Sequence, residues 1–222
     1  EQKRRISESR WLITEALLTK LKNSTPAPRI WINASAIGFY GAQGAEPLDE
    51  SFVPTQTDFP NRVCAHWEEL AQQASSFNCR VCIIRIGLVL GTQGGALAKM
   101  LPAYWLGLGG PLGSGKQMVS WITRTDLVYV IRFLLENTHC SGVYNATTPH
   151  VISNAEFSAA LANALHRPHL LHTPAWVLKL LLGEMADLLL NGQNVQPTRL
   201  LEAGFQFRYP TLPEALHHVL ED

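Results

Sequence analysis

The stretch "RIWINASAIGFYG", Arg29 to Gly41, delivers a hydroxyl at Ser35 and a phenol at Tyr40 just where a short apolar strand runs out. A hydroxyl can hydrogen-bond a substrate carbonyl or alcohol, and a phenol can give or take a proton. In open α/β sheets ligands settle beyond the carboxyl ends of the strands, so Ser35 and Tyr40 are candidate catalytic residues. A second strand, "CRVCIIRIGLVLG", ends at Leu88 and Val89. If the two strands are neighbours, their exits meet in one crevice. A serine in a tight turn, with Tyr40 packed on the following loop, accounts for the same residues without chemistry.

Other stretches invite chemistry and then fail a context test. "GPLGSGK", Gly110 to Lys116, matches the core of a phosphate-binding loop. It lacks a strand before it and a helix after it, and Gln117 stands where magnesium needs a hydroxyl. A Gly-rich loop is the better reading. Cys79 and Cys82 have C-x-x-C spacing, but no second pair completes a zinc site and the strand around Cys82 does not suit a redox motif. His166, His169 and His172 are separated by Pro168, which breaks the helix that would converge them. No metal site is expected. Asp126, or Thr125 before it, reads as a helix N-cap. Arg85 lies inside a buried strand, where a guanidinium must meet an acceptor or reach water. It either pairs with an acid or lines a pocket at the strand end.

The elements that must position these residues alternate between strand and helix. "EQKRRISESRWLITEALLTKLKN" places Ile6, Leu12, Ile13, Ala16, Leu17 and Leu21 on one helical stripe. After "STPAPR" comes the strand of Ser35, then loop chemistry to Pro60 and a helix from about Asn61 to Ser75. The strand "CRVCIIRIGLVLG", the helix of "GGALAKMLPAYW", the strand "MVSWI", the helix "TDLVYVIRFLLEN" and the strand "GVYNAT" follow. This alternation predicts an α/β fold with a mostly parallel sheet. From about Thr148 the pattern is mainly helical, so the expected division is residues 1–147 and a helical lobe of residues 148–222.

Composition narrows the classes. The 222 residues carry 18 Lys and Arg against 18 Asp and Glu, with 46% hydrophobic residues. That balance argues against a nucleic-acid groove or a polybasic membrane surface. No apolar run approaches the roughly 20 residues a bilayer needs. Four cysteines without a secreted spacing pattern suggest a reduced, cytoplasmic setting.

"SAIGFYG", "RIGLVLGTQGGALAKMLP", "GLGGPLGSGKQMVSWITRTDLV", "GVYNATTP", "GQNVQP" and "LLEAGFQFRYPTLPEAL" together resemble the YfcH-type epimerase family. These are atypical members of the extended short-chain dehydrogenase/reductase superfamily, and the match runs from Arg4 to the C-terminus. The resemblance implies a Rossmann-type parallel sheet that binds NADP(H), with a small C-terminal lobe on the substrate side. It also implies that the chain begins in the helix after the family's fourth strand, with the phosphate-binding loop upstream of Glu1. A hydrophobic sheet edge would then lie exposed where those strands belong.

The superfamily's usual set is a Ser or Thr with a Y-x-x-x-K pair. Counting back from "HWEE", those two places hold Pro60 and Cys64, and Gly44 stands four residues after Tyr40. Through the resemblance, Ser35 takes the place of the substrate-binding hydroxyl, with Tyr40 as a proton donor. Arg10, Ala34, Ser35, Leu88 and Val89 would contact the cofactor; a solvated helix arginine is the other reading of Arg10. The implied function is an NADP(H)-binding epimerase- or dehydratase-like oxidoreductase acting on a small polar molecule. A nucleotide-binding sensor or scaffold without turnover is the alternative.

Overall fold

The computed structural model describes residues 1–222 apart from Ala27, Gln56 and Asp222, and for Leu181, Leu182, Glu184, Met185 and Leu188 the backbone alone. In chain order the elements are α1 (Gln2–Lys22), β1 (Ile30–Ala36), β2 (Pro47–Leu48), α2 (Phe59–Gln72), β3 (Arg80–Ile86) and β4 (Leu88–Leu90). Next come α3 (Gly95–Trp105), β5 (Met118–Val119), β6 (Trp121–Thr123), α4 (Arg124–Glu136) and β7 (Gly142–Ala146). The remainder is β8 (Ile152–Ser153), α5 (Asn154–Ala164), α6 (Ala175–Leu182), α7 (Asp187–Leu190), β9 (Asn194–Val195), α8 (Thr198–Glu202) and α9 (Leu212–Glu221).

The central sheet is parallel in the order β1-β3-β7. Five consecutive residues of β3, Val81 to Arg85, are buried, as expected for a strand covered on both faces. Odd-numbered β3 side chains, Val81 and Ile83, pack with Leu18 and Leu21 of α1 and Leu70 and Ala71 of α2. Even-numbered ones, Cys82 and Ile84, pack with Val130 and Leu134 of α4 and with Leu200 and Phe205. Strand period two thus sorts one sequence run into two cores.

The predicted run "CRVCIIRIGLVLG" is two strands rather than one. The break falls at Gly87, where a Cβ would stand 2.5 Å from the Ser120 carbonyl oxygen and 2.8 Å from the Thr147 methyl. Only glycine permits that approach. β4 then leaves the central sheet and pairs with β6 in parallel. "MVSWI" is likewise split, because β5 pairs antiparallel with β8.

Apart from Leu21, the predicted stripe of α1 is turned outward. Ile6, Leu12, Ile13, Ala16 and Leu17 are exposed, while Ser7, Thr14, Leu18 and Leu21 are buried. Hydrogen bonds select that face. The Trp67 indole donates to Thr14 Oγ1 at 2.9 Å, and the Trp11 indole donates to the Val63 carbonyl at 3.2 Å. Two indole N–H groups at this interface need acceptors, which apolar periodicity does not register.

Thr123, not Thr125 or Asp126, caps α4: its hydroxyl accepts from the Asp126 N–H at 3.0 Å. Asp126, 1% exposed, accepts instead from the Arg208 and Tyr209 N–H groups at 2.9 and 3.1 Å. It joins the start of α4 to the segment leading into α9. The residues after 148 are mainly helical, yet they share their cores with those before. Phe157, Leu161, Leu212 and Leu216 pack with Leu90, Leu97, Leu101 and Trp121.

Replacing Asp126 by Ala removes the charged acceptor of the Arg208 and Tyr209 N–H groups, so Asp126→Ala should cost about 1–3 kcal/mol of stability. Urea unfolding at neutral pH measures this, and a loss no greater than that of an exposed alanine substitution would refute the linkage.

Candidate functional site at the strand exits

β1 and β3 are neighbours in register, Ala36 opposite Ile86, so both strands leave the sheet at the same edge. The next residues are the turn Ile37–Tyr40 on one side and Gly87 with Leu88 and Val89 on the other. One register step back, Ser35, Arg85 and Asn145 form a row across the three strands. That row is polar and buried: Ser35 is 3%, Arg85 4% and Asn145 0% exposed.

Its centre is an ion pair between Arg85 and Glu68 of α2. Arg85 Nε donates to Glu68 Oε1 at 2.9 Å and Nη2 to Oε2 at 2.8 Å, a two-pronged contact. Ser35 Oγ donates to Glu68 Oε1 at 2.6 Å. Arg85 Nη1 donates to the Tyr40 phenol at 3.0 Å, and the Tyr40 hydroxyl in turn donates a hydrogen bond to Asn145 Oδ1 at 2.8 Å. Asn145 continues outward, its Nδ2 donating to the Gln196 carbonyl and its N–H to Glu50 Oε1, both at 2.9 Å. The Arg85 guanidinium also lies 3.4 Å from the Phe39 ring centroid. Of the two readings open for Arg85, the acid pair is the one the structure shows.

In this geometry the hydroxyls of Ser35 and Tyr40 are both bonded within the protein. Neighbouring side chains in a strand point to opposite faces, so Ser35 turns toward α2 while Ala34 is exposed on the other face. The Ser35 hydroxyl is bonded to Glu68 and does not face an open crevice. Tyr40 is wholly buried. Burial pushes its phenol above the ordinary value, against the opposing pull of Arg85, so at neutral pH it keeps its proton. Both hydroxyls hold the strand exits in place.

Pro60 and Cys64, in the places of the superfamily pair, pack beside the turn: a Cβ at Gly38 would lie 3.1 Å from Pro60 Cβ and 3.8 Å from Cys64 Sγ. Burial raises the Cys64 thiol, leaving it neutral and without the charge a lysine would bring. Arg10 is partly buried on α1, with Nη1 donating to the Ile6 carbonyl and Ser9 Oγ, and its guanidinium 5.7 Å from the Trp67 ring. Leu88 and Val89 are partly buried. Sequence reading missed Glu68 and Asn145; the signal for Glu68 was Arg85 itself, a buried cation requiring an acid.

The other motifs have structural roles. Gly110 carries the Gly-rich loop against Leu171, where a Cβ would collide with the carbonyl, and Gly113 N–H donates to Thr173 at 2.9 Å. The four cysteines are free and buried. His169 contacts Ser158, and His172 contacts the Gly113 carbonyl. Among the described residues no cluster of three or more His, Cys, Asp or Glu could hold a metal. An open cavity of about 450 Å³ lies along α9, lined by Arg208, Tyr209, Glu214, His217, His218 and Glu221. It contains none of the residues named at the strand exits.

Parallel strands, helical crossovers and a shared exit edge define a Rossmann-type α/β domain. The comparisons make this specific. Residues 173–219 match the family described as "Domain of unknown function (DUF1731)". The chain is 41% identical to the chloroplastic epimerase family protein SDR39U1 homolog of Arabidopsis thaliana, covering all of this chain and 64% of that protein. It is 36% identical to epimerase family protein SA0724 of Staphylococcus aureus, covering all of this chain and 74% of that one. Human epimerase family protein SDR39U1, crystallised with NADPH, superposes with a TM-score of 0.93 at 32% identity over 99% of this chain and 75% of that chain. The chain belongs to the epimerase family, an atypical branch of the short-chain dehydrogenase/reductase superfamily.

Glu68→Gln leaves the buried Arg85 charge uncompensated and should cost about 3–5 kcal/mol. Glu68→Leu combined with Arg85→Met removes both charges and should cost less than the two single changes summed. Guanidinium unfolding of the four proteins forms the cycle; simple additivity would mean that the pair is not coupled.

Proposed function

We propose that this protein binds NADP(H) at the shared exit of β1 and β3, as an epimerase- or dehydratase-like oxidoreductase acting on a small polar molecule. The observation that carries the reading is the superposition on the human relative crystallised with NADPH. The residues at the exit fit a flat ring. Ala34 offers a small exposed side chain, and Ala36 and Ile86 end their strands in register. Ala34 and the backbone of Leu88 and Val89 would face the nicotinamide, whereas Arg10, on α1 beside Trp67 of α2, stands on the opposite side of the sheet from Ala34. When bound, the nicotinamide supplies hydride chemistry. The protein's own part is to fix the strand exits through Ser35, Glu68, Arg85, Tyr40 and Asn145. Ser35 and Tyr40 act here as positioning residues. A cytoplasmic location belongs to the same reading and is supported by four free cysteines.

A second reading, a nucleotide-binding sensor without turnover, is favoured by one observation. Pro60 and Cys64 supply neither phenol nor amine, and the Ser35 and Tyr40 hydroxyls are already bonded within the protein. Under this reading NADPH binds but candidate substrates leave it unoxidised.

NADPH titration of the full-length protein, followed by energy transfer from tryptophan, separates the outcomes. Saturable binding is expected, with Ala34→Trp weakening it by about tenfold or more through steric exclusion. Ser35→Ala should lower thermal stability while leaving affinity nearly unchanged. Absence of binding would end both readings, and a large affinity loss in Ser35→Ala would return the hydroxyl to the cofactor.

A further inference from the structure

We propose that the face formed by residues 105–113 and 166–180 docks on the surface of an anionic lipid bilayer, a property separate from the nucleotide site. The two segments lie side by side. Gly113 N–H donates to the Thr173 carbonyl at 2.9 Å, Thr173 N–H donates to Pro111 at 3.0 Å, and a Cβ on Gly107 would touch Pro168 at 3.6 Å. From them Trp105, Leu106, Leu108, Leu170, Trp176 and Leu180 extend into solvent, from 54% exposed at Trp105 to 85% at Leu170. Isolated exposed apolar residues are ordinary, but two indoles and four leucines on adjoining segments mark a surface that something covers.

Charge identifies the occupant. Residues 95–117 and 165–182 contain no Asp or Glu, although the chain holds 18 of them. Within the face itself Arg167 and Lys179 are exposed and three histidines accompany them, while Lys99 and Lys116 flank it in sequence and the next acids after it are Glu184 and Asp187. A second copy of this face would set cation against cation. An anionic headgroup layer answers the charge, while the indoles and leucines enter the boundary between headgroups and acyl chains, where Trp is favoured. The contact is peripheral, because no helix among the described residues is long and apolar enough to cross a membrane. The neutral net charge, which pointed away from such a surface, averages over this segregation. The outward stripe of α1 differs: Leu12, Ile13 and Leu17 are interspersed with Glu8 and Glu15, which an anionic surface repels.

The test is co-sedimentation of the full-length protein with vesicles of phosphatidylcholine alone and of phosphatidylcholine mixed with phosphatidylserine. Binding to the mixed vesicles that falls as salt rises is expected. Trp105→Asp with Trp176→Asp should abolish it, and Arg167→Gln with Lys179→Gln should weaken it roughly fivefold for each charge removed. Leu12→Asp on α1 should leave it unchanged. Circular dichroism matched to the parent protein establishes that the exposed-site variants are folded. No binding to mixed vesicles, equal binding to both kinds, or binding that survives the double tryptophan change would overturn the proposal. So would a dimer, seen by light scattering, that the tryptophan changes dissociate while vesicle binding is absent.

Discussion

A guanidinium buried in the middle strand of a parallel sheet constrains everything that packs around it. Arg85 has five N–H donors and almost no access to water, so acceptors must come to it. Glu68 reaches from α2 with both oxygens, which fixes where α2 sits on the sheet. Tyr40 reaches back from the turn after β1, which fixes the path of the chain as it leaves that strand. Asn145 accepts the phenol's hydrogen bond and passes the connection on to Gln196 and Glu50. One charge therefore couples three strands, a helix, the loop after β1 and the C-terminal segment. A network in which each member is satisfied specifies a single arrangement, whereas removal of one member leaves a costly unpaired group.

The same network sets what the site can do. The hydroxyls of Ser35 and Tyr40 are engaged with Glu68 and Asn145, and on the other face of β1 Ala34 is exposed. Under the proposed nucleotide reading a flat ring would approach that small side chain, with the bonded row beneath holding the strand in place. The C-terminal residues are part of this arrangement. Val195 packs with Tyr40 and Leu48, and Ser120 bonds both the Gln193 carbonyl and the Val195 N–H, so residues after 190 form a wall close to the β1 exit.

Legibility in the sequence followed the physics of each element. β3 was readable because a strand covered on both faces must be apolar along its length. The break at Gly87 was not readable, since it depends on how near Ser120 and Thr147 come. The face of α1 was misread because indole hydrogen bonds from Trp11 and Trp67 outweighed the apolar period. Asp126 looked like a cap because it starts a helix; its partners lie 82 and 83 residues further along the chain. At the site, Arg85 was visible as an anomaly requiring an answer, but the sequence left pairing and pocket lining equally open.

Taken alone, the sequence determined the alternation of strands and helices, the parallel sheet and the family. These follow from local periodicity and from motifs contiguous in the chain, while the pairing of β1 with β3 that brings their exits together came from the structure. Only the tertiary structure decided which way Ser35 points, what neutralises Arg85, and which side of α1 is buried. Each of those outcomes depends on a hydrogen-bonding or charged partner distant in sequence, and no local pattern specifies where such a partner will stand.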